Sequence, residues 1–403
     1  MSDFLKRFGR VTGWDTPEAE DCGRGVNPDC GRGVNPDSKV ETEYGPVTRI
    51  RKAHTEAWPY GLSPMGDILT PDVTKRCGFL KDKLLAGFSR EQALFLDVEA
   101  TGLSHGAGTV AFLLGLGYYD GDTFIVEQLL MEDYDQEQAQ LQLFLEHLER
   151  TEYLVSYNGK SYDRSVLENR LVVNRFMDRN EAHLKLRPHL DLLHTGRRVL
   201  KGTLENHKLG NMEKQVLDFD RGEDLPGELV PQMYFQYLLT NDWAYMEPVL
   251  KHNYYDVLSM AHLAHRLLDL VHPERLPDDP LVSLNLGRLF LQTERWEAAA
   301  FHLRYAASNL LGDDAVRAAS GLARALLKQS AAWDEIVAVW EDGARLAPDS
   351  TKPHIELAKI HEWKLKDREA ALHHAHRACE LGADELSRVT RLEARFLLEG
   401  RKP

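Results

Sequence analysis

The sequence predicts a mixed-sheet α/β domain followed by an all-α region of helical repeats, and three observations carry that reading. An apolar, β-rich stretch starting at Ala93 ends in acids and glycine. Strand-like and helix-like segments then alternate to about residue 270. Beyond the proline- and acid-rich HPERLPDDP at 272–280 no strand pattern survives.

The first strand is ALFLDVEATG, and VAFLLGLGYYDGDTFIVEQLL follows as two β-rich runs joined by Asp120-Gly121-Asp122. Leu141, Phe144, Leu145 and Leu148 are spaced as one helix face over 137–150. EYLVSYN gives a fourth strand, followed by a helix over 162–175. A further helix is expected over 192–200, with Asp191 either as its cap, the preferred reading, or as a further carboxylate near the site, and an amphipathic helix is expected from Lys251 onward. Residues 22–37 repeat the octapeptide CGRGVNPD and offer little to bury. The expected organisation is a disordered segment over 1–48, an irregular accessory segment over 49–92, the α/β domain over 93–271, a linker over 272–280 and the repeats over 281–403.

In the last part a period of about 34 to 38 residues recurs. Leu286-Gly287 precedes Trp296, Ala299 and Ala306; Leu322-Ala323 precedes Trp333, Trp340, Ala344 and Pro348; Leu357-Ala358 precedes Ala370 and Ala378. Small residues let paired helices approach and the proline stops the second helix, a pattern that resembles tetratricopeptide repeats. Leu286, Leu303, Leu326 and Leu357 are expected inside.

Composition narrows the function. The 403 residues suffice for two cores, and the longest apolar run, 110–119, is too short to span a bilayer. The N-terminus lacks the apolar core of a secretory signal, so a cytoplasmic protein without a membrane partner is expected. Four scattered cysteines, Cys22, Cys30, Cys77 and Cys379, fit neither a disulfide framework nor a zinc site. The net charge of −14 opposes nucleic-acid binding overall, but 150–214 holds 13 Lys and Arg against 8 Asp and Glu. That excess suits either a local basic surface or ordinary solvated helix faces. No G-x-x-x-x-G-K-[ST] loop supports an ATPase.

Three groups carry chemistry. In Asp97-Val98-Glu99 the alternation of a strand points both carboxylates to one side, where a divalent cation would compensate them; acids also commonly end strands. In SYNGKSYD (156–163) a glycine turn leads into a helix with Asp163 in its first turn, a position the helix dipole also favours. In KHNYYDV (251–257) His252 and Asp256 share a helix face, which a hydrogen-bonded histidine would equally explain.

Taken in order, D-x-E-x-T-G-L, N-G-x-x-Y-D and H-x-x-x-D resemble the DEDD exonuclease superfamily on a ribonuclease-H-like fold, and more fully its YprB-type bacterial branch. That likeness runs from about Ala93 to Leu268 and includes HLDLLHTGRRV, LGNMEKQVL and LPGELVPQMYFQYL. A tetratricopeptide tail is common in that branch.

The resemblance implies a metal-dependent nuclease, a 3′-to-5′ exonuclease acting on DNA or RNA with two Mg²⁺ or Mn²⁺ ions. Asp97 would bridge the ions, Glu99 and Asp256 would complete one site and Asp163 would face the other. Hard carboxylate oxygens suit such cations. His252 would be the general base, although superfamily members with three residues between this position and the last Asp generally use Tyr. Thr101, Gly102 and Leu103 would contact the terminal nucleotide, and Asn158 would also touch substrate. A competing reading is a catalytically weak nucleic-acid-binding or scaffold protein that acts through its repeats, with a protein partner there.

Overall fold

The structure, a computed structural model, describes residues 39–55, 59–60, 63–64, 68–102, 108–185 and 188–399. The octapeptide repeat and Leu103 lie outside the described residues. Two compact units emerge: one holds Asp82–Thr195 and Asn206–Leu268 with the chain preceding Phe79, and the other holds Phe79–Lys81, Gly196–Glu205 and Asp269–Pro403.

The first unit is built on a seven-stranded mixed sheet. Its strands are β1 (Lys39–Thr42), β2 (Gly45–His54), β5 (Ala93–Ala100), β6 (Ala111–Asp120), β7 (Thr123–Leu130), β8 (Tyr153–Ser156) and β9 (His189–Asp191). A separate pair, β3 (Pro59–Tyr60) and β4 (Ser63–Pro64), forms a two-stranded sheet. The large sheet runs in the order β1-β2-β7-β6-β5-β8-β9. β5 pairs antiparallel with β6 and parallel with β8, and β8 pairs parallel with β9. This is the ribonuclease-H-like arrangement expected from the sequence, with β5 inside the sheet between β6 and β8.

Alternation along β5 assigns its two faces. Leu94, Leu96 and Val98 point into a core with α1 (Glu137–Arg150) and α2 (Asp163–Val173), through Leu141, Phe144, Val166 and Leu167. The other face carries Phe95, Asp97 and Glu99. A second core there joins Phe112, Leu113 and Leu130 to α3 (Val230–Thr240) and α4 (Met246–Leu270). Gly115 and Gly117 of β6 make room for α4: a Cβ on Gly117 would lie 2.7 Å from Val257.

Two expectations need correction. Residues 39–54, assigned from sequence to disordered and irregular segments, form β1 and β2, and β2 pairs antiparallel with β7 from Thr48–Leu130 to His54–Phe124. The alternation is obscured by charged side chains that find cross-strand partners, as Arg51 does with Glu127 at 3.1 Å and Tyr118 at 2.8 Å. The helix α4 begins at Met246 rather than Lys251, so His252 lies within it.

The second unit is helical: α5 (Pro280–Gln292), α6 (Trp296–Asn309), α7 (Gly312–Lys328), α8 (Trp333–Leu346), α9 (Thr351–Ile360), α10 (Arg368–Glu380) and α11 (Leu386–Glu399). Each packs on the next. Leu286, Leu303, Leu326 and Leu357 are buried as expected. A Cβ on Gly287 would lie 2.4 Å from Leu303, so this glycine sets the spacing of α5 and α6. Asn285 donates to the carbonyls of Val199 (3.2 Å) and Lys201 (2.9 Å), which ties the 196–205 segment to α5. No helix among the described residues is long and apolar enough to cross a membrane.

Candidate metal-binding active site

β5 delivers Asp97 and Glu99 to the face covered by α4, both half-buried. Asp97 lies opposite Gly115 of β6, and the space that glycine leaves is filled by Asn253 of α4. The Asn253 amide donates to Asp97 Oδ2 at 2.8 Å and accepts from Gln128 at 2.7 Å, while Gln128 also donates to the Leu250 carbonyl. A carboxylate so held cannot swing, because each partner in the chain is itself buried and satisfied. Asn253 was not singled out from sequence, although a polar residue inside the apolar stripe of α4 and two glycines inside an apolar strand were signals for it.

The turn between β8 and α2 positions Asp163. Asn158 adopts φ +66° and its N–H donates to Asp191 at 3.1 Å. Gly159 lies where a Cβ would be 2.5 Å from Ser156 Oγ and 2.6 Å from Asp163 Oδ2, so only glycine lets the carboxylate fold back over the turn. Ser156 bridges the Gly159 N–H (3.1 Å) and His189 (2.6 Å). Asp191 caps the helix beginning at Leu192 through the Leu193 N–H at 3.1 Å, and also accepts from Lys160 N at 3.2 Å. The amide of Asn158 thus braces this turn through its main chain.

At the far end of β5, the Thr101 hydroxyl accepts from Val110 N at 3.1 Å, and Tyr162 donates to the Gly102 carbonyl. The first bond joins the end of β5 to the start of β6, and the second joins it to the start of α2.

Electrostatics link the four acids. Burial first, then the charges of Asp256 and Asp163, hold Asp97 well above the usual carboxylate range, with His252 and the Asn253 amide pulling back. Glu99 is raised by burial, then by Asp97, with Asp256 and Asp224 adding to it and His252 opposing. Asp163 is raised by burial, then by Glu99, Asp191 and Asp256. Mutual repulsion of this kind requires close approach in a poorly hydrated place.

Two cations partly compensate the cluster, Arg221, which was not singled out from sequence, and His252. Arg221 reaches Asp256 at 2.5 Å and Asp224 at 3.1 Å, and it also pairs with Glu213, which accepts from Ser259. His252 Nδ1 meets Asp224 at 2.9 Å, with Nε2 3.8 Å from Asp256. Burial works against its charge, but Asp256, Asp224 and Glu99 outweigh burial and push the imidazole up to about 10. Held between Asp224 and Asp256, the ring is favoured as a cation by these carboxylates. Although burial opposes it, bonding to His252 and the Arg221 charge hold Asp224 below the usual range.

Among the described residues no three His, Cys, Asp or Glu side chains already surround one point as a metal shell. The donor set nevertheless fits a hard divalent cation. It is all oxygen, Asp97, Glu99 and Asp163 are raised by burial and by neighbouring carboxylates, and the compensating cations, Arg221 and His252, both sit on the Asp256 side.

The match to a protein-family model agrees with this architecture. Residues 94–268 match the RNase_H superfamily. The chain is 30% identical over 319 residues to the uncharacterized protein YprB of Bacillus subtilis strain 168, covering 78% of this chain and 75% of YprB. It therefore belongs to the YprB family, with an RNase_H-superfamily domain. Among solved structures, the family B DNA polymerase of the hyperthermophilic archaeon Pyrobaculum calidifontis aligns with a TM-score of 0.37 and 15% identity, over 59% of this chain and 30% of the polymerase.

Proposed function

We propose that the first unit is a divalent-metal-dependent nuclease acting as a 3′-to-5′ exonuclease on DNA or RNA. The observation that carries this reading is the mutual elevation of Asp97, Glu99 and Asp163, with Asp256 among its causes, by carboxylates drawn from β5, α2 and α4. A scaffold has no physical need for such a cluster, which costs stability while its charges go uncompensated.

Asp97, Glu99, Asp163 and Asp256 would hold Mg²⁺ or Mn²⁺. When bound, such ions lower the pKa of water and neutralise charge on a leaving oxygen. The chain's own groups do the rest. Asn253 fixes Asp97, and the Gly159 turn fixes Asp163. Asp224 holds the His252 ring by Nδ1, leaving Nε2 on the side of Asp256. With Nδ1 held by Asp224, Nε2 is the ring atom that would take a proton from the attacking water. The main chain around Thr101 and Gly102 would meet the terminal nucleotide.

The test is incubation of the purified chain with end-labelled single- and double-stranded DNA and RNA in Mn²⁺, Mg²⁺ or EDTA. Stepwise loss of nucleotides from the 3′ end, present with either cation and absent in EDTA, supports the reading. No hydrolysis under any condition would leave the binding or scaffold reading in its place.

A further inference from the structure

In the helical unit, one face of each of three successive helices opens onto a cavity of about 930 Å³. The helical period builds it. α7 contributes Arg324 and Lys328, four apart; α8 contributes Trp333 and Trp340, seven apart; α9 contributes Lys352 and Lys359, also seven apart. Trp363, Lys364 and Arg388 complete the wall.

Six cations and one carboxylate, Glu356, line this cavity in a chain whose net charge is −14. Glu356 is taken by Lys359 at 2.9 Å, and Arg388 pairs with Glu385 at 2.5 Å and with Glu362. Arg324, Lys328, Lys352 and Lys364 remain without a carboxylate partner among the described residues. Two of them lie over indole rings, Lys328 over Trp296 at 5.6 Å and Lys364 over Trp333 at 5.2 Å. Trp363 is 49% exposed, an unusual position for the largest apolar side chain.

We propose that this groove binds single-stranded nucleic acid, with phosphates on these four cations and bases stacked on Trp333 and Trp363. Lys366 and Arg391 lie over the Trp363 ring at 5.8 and 5.6 Å, so cations and indoles alternate along the groove; an acidic peptide would use the cations alone, whereas a single strand uses both, since every base offers a face to stack and every linkage a charge. A duplex presents phosphates but keeps its bases stacked away from the rings. The inference goes beyond the nuclease reading and uses none of its residues.

The test measures binding of the full chain to a fluorescein-labelled single-stranded oligonucleotide by anisotropy, in EDTA so that binding is read without hydrolysis. Lys352→Glu with Lys364→Glu should weaken binding by at least about tenfold and flatten its salt dependence, since each phosphate contact contributes about −0.7 to the log–log slope. Trp363→Ala should weaken it by about tenfold with the salt slope unchanged. Circular dichroism checks that the variants fold, and the lysine pair, being exposed, keeps the test decisive if the tryptophan variant does not. Wild-type affinity in the folded lysine variant overturns the proposal. So does equal competition by duplex DNA, or by a polyglutamate peptide with Trp363→Ala silent, which would make the groove an acidic-protein site. Failure to hydrolyse nucleic acid in Mn²⁺ speaks against the nuclease reading alone.

Discussion

Asn253 donates to Asp97 Oδ2 at 2.8 Å, joining α4 to β5 across 156 positions of sequence. The same amide accepts from Gln128, and it occupies the space that Gly115 leaves on β6. An acid that must hold cations needs a fixed orientation, and this bond supplies it within the sheet.

Removing Asn253 therefore affects stability and site together. Asn253→Ala leaves Gln128 and Asp97 each short of a buried partner and should destabilise the fold by about 2–4 kcal/mol in urea unfolding. Gly115→Ala, whose Cβ would lie 2.4 Å from Asn253 Oδ1, should destabilise it by about 1–3 kcal/mol. Wild-type midpoints in both variants would show that the clamp contributes nothing.

Raised carboxyl pKa values set a sign. Folding favours the protonated acids at Asp97, Glu99 and Asp163, so their contribution is favourable at low pH and is lost as pH rises from the unfolded value through the raised one. At pH 8, then, Mn²⁺ should raise the melting temperature more than at pH 5. Asp97→Asn should raise the melting temperature in EDTA and reduce the Mn²⁺ effect. An equal Mn²⁺ shift at both pH values would contradict this.

Buried histidines act in the opposite direction. Burial lowers His54 to about 4, with Lys52 adding to it, and lowers His189 and His262 to about 3. The unfolded chain binds these protons first, so stability falls as pH drops below about 6.5, by up to about 1.4 kcal/mol per pH unit for each histidine, until the lowered values are reached. His189→Gln should reduce that slope in denaturation measured between pH 7 and 4.

His252 and Asp224 should behave as a unit. His252→Ala should lower the hydrolysis rate by roughly 10²–10⁴. Asp224→Asn, which keeps the ring but changes its Nδ1 partner, should lower it less and shift the pH profile. Replacing His252 by Tyr should recover part of the loss. An unchanged rate and profile in His252→Ala would leave the imidazole as a structural cation.

Much of this was legible in the sequence because it is local. Alternation along ALFLDVEA put Asp97 and Glu99 on one face, helical spacing joined His252 to Asp256, and Gly159 marked the turn before Asp163. What escaped was long-range pairing. Arg221 is separated by 31 positions from the His252 carbonyl it approaches, and Ser259 by 46 from Glu213, with no local pattern to announce either. β2 was hidden for a related reason: its charged residues are satisfied by β7, which periodicity alone does not reveal.

The central claim is that Asp97, Glu99, Asp163 and Asp256 form one divalent-cation site. Calorimetric titration of the metal-free chain with Mn²⁺ tests it most directly. The account predicts two ions per wild-type chain and loss of both in Asp97→Ala, with the variant still folded by circular dichroism. Absence of Mn²⁺ binding to the wild type, or undiminished binding to Asp97→Ala, would contradict it.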